Sequence, residues 1–258
     1  MTTEEILNYY YRVFDEKQFI DNDPICIPHK FQDKEDIEIS GFLAATIAWG
    51  NRKAIINSAL DIIKRMDNAP YDFIINADKN DIEKLAGFYY RTFQEVDLVC
   101  FINSLHNIYT NHGGLEKVFT DGYQSCSEDK IKNAIINFRK IFFQNDYPQR
   151  VAKHVANPEK GAAAKRINMF LRWMVRNDNS GVDFGLWKNI SACDLIIPLD
   201  VHVGNVARNL NLINSNSNNW KAAEELTKKL QLLDKEDPVK YDFALFGIGN
   251  SKISIDNN

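Results

Sequence analysis

From Lys165 onward the apolar residues Ile167, Phe170, Leu171, Met174 and Val175 recur at the spacing of one helix face. Lys165, Asn168, Arg172 and Arg176 fall on the opposite face. The same period returns along much of the chain. Ile55, Ile56, Ala59, Leu60, Ile62 and Ile63 form one stripe, and Ile131, Ala134, Ile135, Phe138, Ile141 and Phe142 form another. Ile39 to Trp49 is apolar nearly all round, which suits a helix buried in the core. A chain patterned in this way has to bury helix against helix, so the expected fold class is all-α.

Short polar turns separate these segments. Gly50-Asn51 reads as a turn, and Asn177–Ser180 and Asn214–Asn219 read as loop tracts. Further helices are expected over Leu98–Tyr109, after Asp200 as an N-cap, after Asn218-Asn219, and after Asp237-Pro238 up to a stop at Gly247. Strand signals are thin, the best being Asp194-Leu-Ile-Ile-Pro198.

With 258 residues, 45% of them hydrophobic, the chain can bury one compact core or two packed lobes. No apolar run is long enough to span a membrane, and Met1-Thr-Thr-Glu-Glu carries no basic region of a secretory signal. Cys26, Cys100, Cys126 and Cys193 lie too far apart for a metal knuckle and read as buried free thiols. A cytoplasmic location is expected. The net charge of −4 argues against coating DNA by bulk electrostatics. Charge is segregated, however. Arg150, Lys153, Lys160, Lys165, Arg166, Arg172 and Arg176 share the segment 150–176 with Glu159 as its one acid.

Two residues in that region and just beyond it form a chemical pair. Lys165 opens one helix and Asp200 opens another, 35 positions later. A lysine amine can attack a sugar carbon, and a carboxylate can stabilise the cation that forms there. Taken alone, Asp200 is only a helix cap and Lys165 a basic residue at a helix start. His202 forms Asp-x-His with Asp200, but no second cluster supplies the remaining ligands of a metal site, so a buried or helix-facing histidine is expected. Trp173 and Trp187, among apolar neighbours, read as core.

Gly161-Ala-Ala-Ala-Lys165 resembles the hairpin of the helix–hairpin–helix DNA glycosylases, with Ala163 where that family has its second glycine. Leu199-Asp-Val-His-Val-Gly-Asn-Val-Ala-Arg208-Asn-Leu-Asn-Leu212 resembles the catalytic aspartate segment of endonuclease III and its relatives. The likeness continues through Lys221–Leu230 and Tyr241–Gly247. Upstream, Phe42 to Ile56 is similar to the helix–turn–helix that fills the gap left by an extruded base. Asn51 and Arg52 are the candidates for that task, and a solvated turn is the alternative. The insertion Asn177–Leu195 and the run Lys165-Arg-Ile-Asn-Met-Phe170 resemble the archaeal 8-oxoguanine branch, with one extra residue before the phenylalanine. The whole chain also resembles a bacterial family of unassigned function.

The resemblance implies a two-lobed helical fold, lobe 1 about 1–30 plus 160–258 and lobe 2 about 31–159, with the active-site cleft between the lobes. It implies a glycosylase with lyase activity acting on damaged double-stranded DNA as a monomer, without a cofactor, on oxidised guanine. Lys165 and Asp200 would be catalytic. Asn51, Arg52, Lys160, Gly161, Ala163, Arg166, Arg172 and His202 would contact DNA. Two alternatives stay open: a non-catalytic DNA-binding protein on the same scaffold, and a helical interaction protein with no nucleic-acid role.

Overall fold

A computed structural model describes residues 1–178 and 180–251. Asn179, within the expected Asn177–Ser180 loop, lies outside the described residues. The fold is all-α, as the periodicity requires. Among the described residues the strands are a single two-residue hairpin, Tyr89–Tyr90 against Phe93–Gln94. The sequence gives no alternation long enough to announce it, and its tip places Arg91 at a left-handed φ of 55° without the usual glycine or asparagine. Asp194–Pro198, read as a strand, is instead a 3-10 turn over Ala192–Asp194 followed by irregular chain. Pro198 supplies no ladder donor there, and Ile197 N–H bonds the Thr227 hydroxyl at 3.0 Å.

The chain clusters into two compact units, Met1–Phe19 with Pro158 onward, and Ile20–Asn157. In the second, the Lys34–Thr46 helix is buried from Ile37 to Thr46. It begins earlier and ends earlier than the apolar run, because the acidic Glu35 and Asp36 suit a first turn and Trp49 leaves the helix. Phe42 stacks on Phe101 at 5.8 Å and meets Phe138 and Phe142 edge-on. Glu95–Asn111 and Lys130–Phe142 supply those partners. The Arg52–Arg65 helix starts where Asn51 accepts the Ala54 N–H at 3.2 Å.

Among the described residues, the α-helices lying wholly in the first unit are Thr3–Phe14, Lys165–Val175, Val201–Asn209, Trp220–Gln231 and Tyr241–Ser251. Thr2 and Glu5 close a capping box on the first of these. Leu7, Leu199, Val203, Ala207, Leu226 and Leu245 belong to one buried cluster. Gly247 does not stop the last helix, which continues to Ser251. A Cβ at Gly247 would overlap the Phe14 ring, so glycine there permits close helix packing.

The Lys165–Val175 helix departs most from its amphipathic reading. Both faces are buried from Ile167 to Val175, including Asn168 and Arg172. The insertion after it explains why. Phe184 and Trp187 N–H groups bond the Trp173 and Met174 carbonyls at 2.8 and 2.9 Å, satisfying the helix C-terminus. Trp187 is buried beside Phe170, and Trp173 is fully buried, as expected of core residues. All four cysteines are free, but only Cys100 is buried. Cys126 is exposed, and Cys26 and Cys193 are half-buried.

Candidate active site

Asp200 ends a segment whose flanks are anchored in the core: Ile197, Pro198 and Leu199 before it and Val203 after it are buried. That anchoring fixes the backbone at the helix start and leaves the carboxylate half-buried. Its two oxygens do different work. Oδ1 accepts the Val203 N–H at 2.9 Å and caps the Val201–Asn209 helix. Oδ2 faces Lys165 Nζ at 3.8 Å, an ion-pair distance somewhat beyond a hydrogen bond. The two side chains are 26% and 23% exposed, open enough for a substrate and dry enough to strengthen their attraction. The structure therefore brings together the two residues that the sequence singled out.

Lys165 opens its helix after a tight turn. Pro158–Lys160 is a single 3-10 turn, and Gly161 takes φ +82°, a conformation that glycine adopts without a Cβ penalty. The strained residue is Ala164, left-handed at φ 51° and without a side-chain cap to offer. Ala163 is not at positive φ, so alanine in place of the expected glycine leaves this turn intact. Its carbonyl accepts the Asn168 carboxamide at 3.0 Å. The first N–H groups of the Lys165–Val175 helix, next to exposed Lys160, make a favourable place for an anion. Arg166 is half-buried, and burial pulls its guanidinium down to about 10, still charged at neutral pH.

The basic stretch 150–176 does not form one surface. Arg172 is buried, with Nε 3.3 Å from Asp183 and Nη1 bound to Asp242, and its guanidinium lies over the Phe243 ring. It cannot reach DNA phosphates as expected, because its charge is spent on two aspartates. Arg176 is 1% exposed and gathers Asp178, Asp183, Asp237 and Asp15, and donates to the Tyr11 hydroxyl. Arg150, in the other unit, bonds Asp97, Gln94 and the Thr92 carbonyl.

Asp242 is the neighbour that the sequence did not reveal. Burial pushes it up to about 6, while Arg172 and Lys165 pull it down and Asp200 pushes it up. Asp183 is likewise pushed up to about 6 by burial, against the pull of Arg172 and Arg176. Neither had a signal in one sequence, since each reads as an ordinary aspartate near a helix start or loop.

His202 is exposed on the first turn of its helix, so of the two expected settings, buried or helix-facing, the buried one does not hold. Its backbone packs within 3.1 Å of where a Cβ on Gly249 would stand, so close helix approach turns the ring outward. Asn51 and Arg52 belong to the second unit. Asn51 is exposed and spends its side-chain oxygen on the Ala54 N–H, and Arg52 is half-buried. Trp49, just before them, meets Tyr90 edge-on at 5.3 Å and stacks on His154. Among the described residues no group of three histidine, cysteine or acidic side chains could hold a metal, and no helix is long and apolar enough to cross a membrane.

A family model described as a protein of unknown function (DUF2400) matches residues 23–251. No curated protein and no solved structure matches the chain.

Proposed function

We propose that this chain, which belongs to the DUF2400 family of proteins of unknown function, is a DNA glycosylase with lyase activity of the helix–hairpin–helix superfamily. The observation that carries this reading is the approach of Lys165 Nζ to Asp200 Oδ2 at 3.8 Å across 35 residues of chain. A lone cap or a lone surface lysine gives no reason for the two to meet. In free enzymes catalytic contacts are often longer than in the substrate complex, so the distance suits a waiting pair.

The damaged nucleotide leaves the duplex at a cost of a few kcal/mol, repaid by its pocket. Lys165 first gives its ammonium proton to water and then, as a neutral amine, attacks the anomeric carbon. The bond from nitrogen to carbon forms as the glycosidic bond breaks, and the base departs with the electron pair and takes up a proton. Asp200, ionised, stabilises the positive charge on the sugar. Loss of a proton from the amine and opening of the ring give a Schiff base. Removal of a proton from the adjacent carbon then expels the 3′ phosphate. The best-supported substrate is oxidised guanine, on the archaeal-branch likeness of Lys165–Met174. The enzyme acts in the cytoplasm as a monomer on damaged double-stranded DNA.

Borohydride reduces the Schiff base to a stable amine, so trapping on a panel of damaged and abasic duplexes tests binding, chemistry and substrate together. A covalent adduct on abasic or oxidised-guanine duplex is the expected result. Duplex binding without an adduct would make the chain a non-catalytic DNA-binding protein. Absence of salt-dependent binding would make it a helical interaction protein.

Phosphate contact is assigned to the Gly161–Ala164 turn and Lys160. Lys160→Ala should weaken binding to every duplex alike and reduce the salt dependence by about one counterion per lost contact. An unchanged slope in a titration from low to moderate salt would show that this turn does not touch DNA.

A further inference from the structure

Lys165 and Asp200 sit at the starts of two helices, and each start is tied to the same third segment, Asn218–Trp220. On the Asp200 side, Asn218 Nδ2 donates to the Asp200 carbonyl at 3.0 Å. Its Oδ1 accepts from Arg208 Nη2 at 2.6 Å. Arginine has only donors, so this contact orients the carboxamide and aims its amide N–H at the Asp200 backbone carbonyl. Arg208 is itself fixed through Nε to the Ser215 carbonyl at 2.7 Å. Gly204 leaves the space that the carboxamide fills, since an added Cβ would collide with it. On the Lys165 side, Asn219 forms an antiparallel bridge with Ala162, and Trp220 N–H bonds the Gly161 carbonyl at 2.9 Å. Asn219 also caps the Trp220–Gln231 helix, whose buried Trp220, Ala222 and Ala223 anchor the segment in the core.

We propose that Asn218 is a positioning residue for the Lys165–Asp200 pair: its carboxamide, set by Arg208, holds the Asp200 backbone while its chain neighbours hold the turn that leads into Lys165. The separation of amine and carboxylate is then fixed by one short strut rather than by their own attraction. A single partly exposed ion pair is worth little and would not by itself hold a reactive geometry. The catalytic consequence rests on the lysine–carboxylate reading, whereas the spacing itself can be measured without any activity.

A water-soluble carbodiimide joins an amine to a carboxylate only where they meet, and peptide mapping reads the yield. Lys165–Asp200 should crosslink in the unaltered chain, with the Lys240–Asp234 ion pair of the same unit as the folding control. Asn218→Leu removes both bonds at similar volume. Asn218→Asp keeps the acceptor for Arg208, removes the donor to Asp200 and adds a negative charge that Arg208 faces. Both should lower the Lys165–Asp200 yield about tenfold and slow single-turnover trapping by about ten- to a hundredfold, because groups lose rate steeply on leaving near-attack geometry. The control crosslink and the affinity for abasic duplex should stay within about twofold, because neither depends on that near-attack geometry. An unchanged Lys165–Asp200 yield in both variants overturns the proposal. So does a parallel loss of the control crosslink, which would make Asn218 a general structural residue. If the unaltered chain forms no borohydride adduct while the crosslink still depends on Asn218, the catalytic reading fails and the positioning role stands.

Discussion

Lys165→Gln is expected to abolish covalent trapping while leaving the melting temperature and duplex affinity nearly unchanged. Glutamine keeps much of the length and removes the amine. The lost ion pair is about a quarter exposed on each side, so its contribution to stability is below about 1 kcal/mol. Asp200→Asn makes the complementary test, because the two carboxylate oxygens have separate partners. Asparagine keeps an acceptor for the Val203 N–H and caps a helix about as well as aspartate. In place of Oδ2 it presents an amide donor to the lysine, and no charge to stabilise a cation. Turnover should fall by about 10²–10³-fold on a normally folded protein, the usual scale for a preorganised electrostatic group. A fully active Asp200→Asn protein would show the residue to be a cap and nothing more. An adduct formed by Lys165→Gln would place the nucleophile elsewhere.

The pair was legible because both residues open helices, and helix starts are written in local signals. Asp200 stands before an apolar-periodic run as an N-cap does, Lys165 follows a glycine turn, and the Asn219 cap and the buried Trp173 and Trp187 were readable in the same way. Bounds were less secure. Gly247 looks like a terminator in sequence, yet its missing Cβ is needed for Phe14, a residue more than two hundred positions away.

What one sequence does not carry is the pairing of polar side chains at long range. Arg172 and Arg176 fall on the polar face of an amphipathic template, where the ordinary reading is solvent or a ligand. Their partners come from Asp15, Asp178, Asp183, Asp237 and Asp242, residues spread over both ends of the chain. None of these spacings is a motif. The basic character of the segment 150–176 was therefore real in composition and largely cancelled in space. The same limit hid Asn218, which reads as one polar residue in an asparagine-rich loop until its two hydrogen bonds are seen.

Arg176→Met is the substitution with the largest expected effect on stability. The guanidinium is 1% exposed and is shared among Asp178, Asp183 and Asp237, with Asp15 at 3.5 Å and the Tyr11 hydroxyl at 2.8 Å. Methionine fills much of the volume, so the loss comes from carboxylates left in a dry interior without their cation. Breaking a buried pair from one side costs about 3–5 kcal/mol, a large share of the stability of a protein this size. The pH dependence identifies the cause. Burial already places Asp183 at about 6 with both arginines present, above the ~3.9 of an unfolded aspartate. The folded chain thus binds this proton more tightly than the unfolded chain. Its contribution to stability is full below about pH 4 and is lost as the pH rises through 6. Without Arg176 one opposing pull is gone, so the deficit should be widest above pH 6 and narrow as the solution is acidified toward 4. Urea unfolding of both proteins at about pH 7.5 and about pH 5 measures it. A deficit that grows on acidification, or one below about 1 kcal/mol near neutrality, would show that Arg176 is not what holds these carboxylates in the interior.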